Sequence, residues 1–157
     1  MERWARALHA ATVGGWLGAA AITGFVVAPH AFAAFPTRAQ AGDYVGGILR
    51  ILDGAAIAAG LVAGGLALMR GGGRARLAAA ALLVLVGIAS LLLDAKLAGM
   101  RAAMGPIDAL AADDPRRRHF GILHGISMLI LLFGMLAALG SLWLGPGQGS
   151  SRSSSSG

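Results

Sequence analysis

No cysteine occurs in the 157 residues, which excludes disulfides, thiolate metal sites, thiol nucleophiles and redox dithiols together. Any metal would fall to His, Asp or Met. Charge is also scarce: 13% of the residues are charged against 57% hydrophobic, and mean hydropathy is +0.73. Water-soluble domains carry about 25% charged residues, so the solvent of this chain is a bilayer. The charge present leans basic, with thirteen Lys and Arg against seven Asp and Glu. These cations lie in small groups between apolar runs and form no single face, which argues against a nucleic-acid partner and marks membrane edges.

A hydrocarbon core of about 30 Å takes roughly 20 helical residues to cross. Four apolar runs approach that length: residues 7–28, the segment between Asp53 and Arg70, the segment between Arg76 and Asp94, and residues 120–144. The middle two enclose sixteen and seventeen uncharged residues, about 25 Å of helix, which places Asp53 and Asp94 just inside one boundary. The fold class expected is all-α, an integral membrane four-helix bundle with helices at 5–29, 48–70, 75–100 and 117–143. Residues 1–144 form one transmembrane domain. The Gly/Ser-rich end, 145–157, has nothing to bury and reads as a disordered tail.

The connections follow from composition. RGGGRAR, residues 70–76, suits a tight turn between antiparallel helices; as a phosphate cradle it lacks a preceding strand and a following Lys-Ser/Thr. The segment 37–50 begins the second helix outside the core. Between Pro106 and Pro115 there is room for a short interfacial helix, and Asp113, Asp114 and Pro115 signal the start of the last one. Positive charge divides six against seven between the two sides. Acidic residues crowd the second side, and discounting Arg50, Lys96 and Arg101 as integral to helices leans toward both termini cytoplasmic.

The stretch FVVAPHAFAAFPTR, residues 25–38, ends the first run and has two readings. Ala31-Phe32-Ala33 has the small-x-small form of a signal-peptidase site, and cleavage there would leave three helices. The run before Pro29 is 22 residues, however, longer than the roughly 7 to 15 of a signal-peptide core, and it carries a packing stripe that a discarded segment does not need. Retention as the first helix is the expectation.

Membrane helices associate through small residues and inward hydrogen-bonding side chains. Such stripes are present: His9, Thr12, Trp16, Ala19 and Thr23 on the first helix, beside a close-contact face at Gly14 and Gly18. The second offers Arg50, Asp53, Gly60 and Gly64, and the third Gly87, Ser90, Asp94 and Arg101. On the fourth, His124, Ser127, Leu131, Gly134, Ala138 and Ser141 align, leaving Leu129, Leu132, Phe133 and Leu136 for lipid. Ionisable groups in a bilayer are costly and are therefore candidates for function. Arg50 and Asp53 can pair on one helix, and Asp94 can be neutralised by Arg50, Lys96 or Arg101, both of which are also purely architectural arrangements.

Paired imidazoles suggest haem or a divalent metal. His9 and His124 begin helices that enter from opposite faces, so their depths differ by roughly 15 to 20 Å and they cannot share an ion. His30, His119 and His124 share a side with Asp94 and form the metal-site candidate. The competing reading makes His30 and His119 interfacial and gives His124 a hydrogen bond within the bundle. Met100, Met104, Met128 and Met135 form no metal box and read as core filling.

Three blocks, LHAATVGGWLG leading to FVVAPHAFAAFPTRAQAG, then DAKLAGMR, and HFGILHGIS, resemble the transmembrane protein 205-like family, a four-helix membrane domain of largely unknown function. The resemblance spans residues 8–131 and falls on His9, Trp16, Gly18, Phe32, Phe35, Pro36, Arg38, Phe120, His124, Gly125 and Ser127. Leu131 stands where that family often has Asn, and Gly99-Met100 replaces a Glu-Pro pair before Arg101. The resemblance implies a membrane protein and supplies no catalytic residues.

Two functions remain open. One is a non-enzymatic protein of the cell membrane, a bacterial inner membrane being the expected setting, acting by helix packing, partner binding or small-solute handling. No cofactor is then needed, and a solute path through so few helices calls for a homo-oligomer. The other is a haem- or metal-binding redox protein built on His124 with the neighbouring His and Asp groups.

Overall fold

Thr37, exposed and extended at φ −132° and ψ 149°, starts the second helix by accepting a hydrogen bond from the Gln40 amide at 3.2 Å. Local signals of this kind set each boundary in the computed structural model, which describes residues 2–70, 73–105, 107–111 and 113–144. The tail at 145–157 and residues 71 and 72 of the RGGGRAR turn lie outside the described residues. Four helices, α1 (Arg3–Ala34), α2 (Arg38–Met69), α3 (Arg74–Met104) and α4 (Pro115–Trp143), are each long and apolar enough to cross a membrane. The all-helical, four-span architecture expected from the sequence is what the structure has.

Each helix is longer than its apolar run, because the charged flanks continue the same hydrogen-bond ladder beyond the hydrocarbon. Thus α2 begins at Arg38 rather than 48, and α1 extends to Ala34 rather than 29. Pro29 lies within α1, where its ring would collide with the carbonyl four residues back in a regular helix. The wide π turn at Thr23–Val27 immediately precedes it and opens the ladder there. The helix ends at Phe35, extended at φ −79° and ψ 144°, because the residue before Pro36 is driven out of helical space.

A second π turn spans Ala10–Gly14. The buried face of α1 runs through His9, Val13, Trp16, Ala20 and Thr23, at the four/three spacing of a regular helix face. Thr12 and Ala19, expected on the stripe, are displaced from it. Thr12 satisfies its hydroxyl on the Leu8 carbonyl at 2.8 Å, and Ala19 is exposed.

The helices pack in chain order, α2 most extensively on α3, α3 on α4, and α1 closing against α2 and α4. Their shared core is rich in alanine: Ala56, Ala59, Ala63, Ala80 and Ala138 surround Val13, Trp16, Leu52 and Leu83. Small side chains let the axes approach, and that approach gives the dispersion contacts that hold a bundle in lipid. The tightest points are glycines. A Cβ on Gly60 would fall 2.7 Å from Val84 and 2.9 Å from the Ala80 carbonyl oxygen, and one on Gly87 2.8 Å from the Asp53 carbonyl oxygen. On α4, Gly134 leaves room for Val86 and Trp16.

Gly14 and Gly18 do not form the close-contact face expected of them. A Cβ on Gly14 would make an ordinary 3.9 Å contact with Leu142, and one on Gly18 would meet nothing within 4 Å. Leu129, Leu132, Phe133 and Leu136 are exposed on the outside of α4, where lipid contact was expected. Among the described residues of the connection between α3 and α4, Ile107–Ala109 form a 3-10 turn, within the stretch where a short helix was expected. Asp114 and Pro115 then start α4 as the sequence predicts, the Asp114 carboxylate accepting the Arg116 amide at 2.8 Å.

Candidate functional site

At the end of the bundle where α1 and α3 finish and α2 and α4 begin, the helices part around a cavity of about 740 Å³. Helix ends carry the polar flanks of each span, so the opening collects charge from three elements. Arg38, Asp43 and Arg50 come from α2, Asp94 and Arg101 from α3, and His124 and Ser127 from α4. Leu49, Leu97, Phe32 and Phe120 supply apolar wall. From Arg38 to Arg50 the cavity follows twelve residues of α2, about 18 Å, running from the helix start into the apolar segment.

Arg101 crosses this space from α3 to α2. Its Nη1 is 3.5 Å from Asp43 Oδ1, and its guanidinium lies against backbone left bare by Gly42 and Gly46, where a Cβ would fall 3.3 Å and 3.5 Å from it. Asp94 is within electrostatic range of Arg50, Arg101 and His124. His124 stacks on Phe120 one turn earlier, with centroids 6.2 Å apart and planes inclined by 3°. Phe35 and Tyr44, at 5.3 Å, join the end of α1 to the start of α2 nearby.

Asp53 lies one turn deeper on α2 than Arg50 and is buried, 5% exposed. The pairing with Arg50 allowed by their three-residue spacing is not made: among the described residues no ion pair joins them. Asp53 turns instead toward α3, where Ser90 and Asp94 are the polar groups near its carboxyl. Lys96, the third partner considered for Asp94, is exposed and does not line the cavity.

The other polar cluster lies at the opposite end. His9 Nε2 is 3.2 Å from the Ser141 carbonyl oxygen and 3.4 Å from its hydroxyl. Arg76 donates through Nε to the Leu144 carbonyl at 3.2 Å. Carbonyls in the last turn of a helix have no partner within it, so these two side chains cap α4 from α1 and α3. His9 is therefore structural. Trp16 is likewise spent on packing, its indole N–H donating to the Leu52 carbonyl at 2.8 Å.

Of the sequence-derived stripe, the fold brings Arg50, Asp94, Arg101, His124 and Ser127 together and sets Asp53 and Ser90 beneath them. His9, Thr12 and Trp16 are elsewhere. His30 and His119 are exposed and outside the cavity lining. Among the described residues no group of three His, Asp or Glu side chains is placed to hold one metal ion. Arg38 and Asp43 were not among the expected site residues. The signal that points to them is Gly42 and Gly46, spaced four apart on the α2 face that receives Arg101.

Comparisons place the chain in sequence space without adding a mechanism. Neither a curated protein nor a solved structure matches it. A family model does match, over residues 11–104, from within α1 to the end of α3, with Trp16, Arg50, Asp53, Ser90, Asp94 and Arg101 inside it and His9, His124 and Ser127 outside. By that match, which covers more than half of its length, the chain belongs to the family described as domain of unknown function DUF4149.

Proposed function

We propose that this chain is a non-enzymatic integral membrane protein that holds a small solute in the cavity between its helix ends. One observation carries the reading: a space of about 740 Å³ with apolar walls and a few convergent charged groups, in a size range typical of small-molecule sites, about 300 to 1,000 Å³. Among the described residues no hydrogen bond joins Ser127 to His124 or to a carboxylate, so no activated nucleophile is assembled there, which favours holding over reacting. Passage of a solute across the membrane would require a dimer or larger assembly of the same chain.

Native mass spectrometry of the full chain released from mild detergent tests the proposal. The wild type is expected to carry a small-molecule adduct. Ala98→Trp, which puts an indole into the cavity from α3, is expected to lose that adduct while keeping its helical circular dichroism. A wild type free of adduct, combined with no solute flux in vesicles, would sink the idea.

A further inference from the structure

The charges around the cavity are unequally matched. Three guanidiniums, Arg38, Arg50 and Arg101, face two carboxylates, Asp43 and Asp94, with His124 beside them. Arg38 and Arg50 form no ion pair among the described residues. Arg101 has one contact of 3.5 Å, to a carboxylate whose side chain is 75% exposed. Its Nε is closed off from solvent, which leaves the Nη groups to meet a ligand. A guanidinium presents five N–H donors in a planar fork, and its Nη edge suits two oxygens of one anion. Asp43 occupies only part of that fork.

The apolar wall adds a second requirement. Leu49 and Leu97 line the cavity beside Arg50 and Arg101, so a bare anion would fill the polar part and leave the rest unmatched. Resting on the solute-holding reading above, we propose that the cavity takes an amphiphile with a phosphate or carboxylate head. Arg101 and Arg50 bind the head beside His124, and the tail lies along Leu49 and Leu97. The excess guanidinium is neutralised by one negative charge, which disfavours cationic amphiphiles of the same length. Both a membrane lipid and a soluble acyl compound have this chemistry.

Equilibrium dialysis of radiolabelled octyl phosphate against the full chain in maltoside micelles, with empty micelles subtracted, tests this directly. Saturable binding near one per chain is expected, displaced by octanoate but not by octyltrimethylammonium. Arg50→Gln and Arg101→Gln are each expected to weaken it tenfold or more, with Arg101→Lys recovering part of the loss. Arg50 is exposed, so its variant remains informative if Arg101→Gln fails to fold. Displacement by phosphatidic acid assigns the site to a membrane lipid, and displacement by octanoate alone assigns it to a soluble amphiphile. Inorganic phosphate competing as well as octyl phosphate overturns the tail. Labelled octanol binding equally well, and unaffected by either arginine substitution, overturns the anionic head while leaving a solute-holding cavity. Saturable binding of neither probe overturns the amphiphile, and the adduct measurement on the wild type then decides the solute reading separately.

Discussion

At the end of the bundle that holds His9, an imidazole and a guanidinium are used on the last carbonyls of α4, and the space left between them is about 20 Å³. At the other end, an imidazole and three guanidiniums surround about 740 Å³. The residue types are nearly the same; the difference lies in what the neighbouring helices offer them. The last turn of α4 presents unpartnered carbonyls that draw His9 and Arg76 inward. The first turns of α2 present the bare backbone of Gly42 and Gly46, which receives Arg101 without supplying acceptors for all its donors. One end is closed by hydrogen bonds and the other stays open.

The largest expected effect comes from making one substitution in the closed body and in the open end of the same helix. Gly60→Leu drives a side chain into the Val84 side chain and the Ala80 carbonyl, and overpacking against backbone costs about 3 kcal/mol or more. Gly46→Leu meets only the movable tip of Arg101, at 3.5 Å, and replacing helical glycine is itself favourable by up to about 1 kcal/mol. Thermal unfolding in detergent should show Gly60→Leu strongly destabilised and Gly46→Leu near wild type. Equal losses at the two positions would mean that the open end is packed as tightly as the body.

The two histidines give a finer version of the same contrast. His9→Leu removes the cap on the Ser141 carbonyl and leaves a buried polar group unsatisfied, a loss of about 1 to 3 kcal/mol. His124→Leu acts at an exposed position on the cavity wall, where substitutions stay within about 0.5 kcal/mol. Unfolding midpoints should therefore separate the two variants in that order. Octyl phosphate binding should respond in the opposite order, since only His124 lies beside the proposed head group.

Much of this fold was legible because bilayer thickness and charge spacing restrict where helices can begin and end. Four spans, the lipid-facing leucines and the α4 start at Asp114-Pro115 all follow from that restriction. Two features were not legible. Three/four spacing fits two overlapping faces of α1, one through Thr12 and Ala19 and one through Val13 and Ala20, and spacing alone does not choose between them. Spacing along one helix also cannot report what the next helix offers. Arg50 and Asp53 are suitably spaced to pair, yet Asp53 turns toward Ser90 on α3 and Arg50 is left at the cavity. Charge pairing joined Asp94 to Arg50 or Arg101, and depth put His124 on the same side, but that all four line one cavity was not visible. Below them, Gly87 on α3 leaves room for the Asp53 carbonyl of α2, which lets the two helices approach there.

The smallest effect concerns the rim of the open end, where the start of α4 is fixed by charge. The Arg116 guanidinium and amide both donate to the Asp114 carboxylate, with Nη2 to Oδ2 at 2.8 Å, and hold its pKa below the ordinary carboxylate value of 3.8. A carboxylate with a lowered folded-state pKa stabilises the fold above its unfolded pKa and loses that contribution as pH falls through the folded one. The cap is thus fully present at neutral pH and fades only in acid below the usual Asp range. Because the pair is exposed, salt screens it and the contribution is small. Comparing wild type with Asp114→Asn, whose amide oxygen can still cap without carrying charge, isolates the titration from the cap. The difference in unfolding midpoint should be constant from pH 7 to 5 and shrink toward zero as the pH is lowered past 4. A difference that instead grows in acid would show that protonated Asp114 caps α4 better than the carboxylate does, and would remove charge from the account of how this end of the bundle is held.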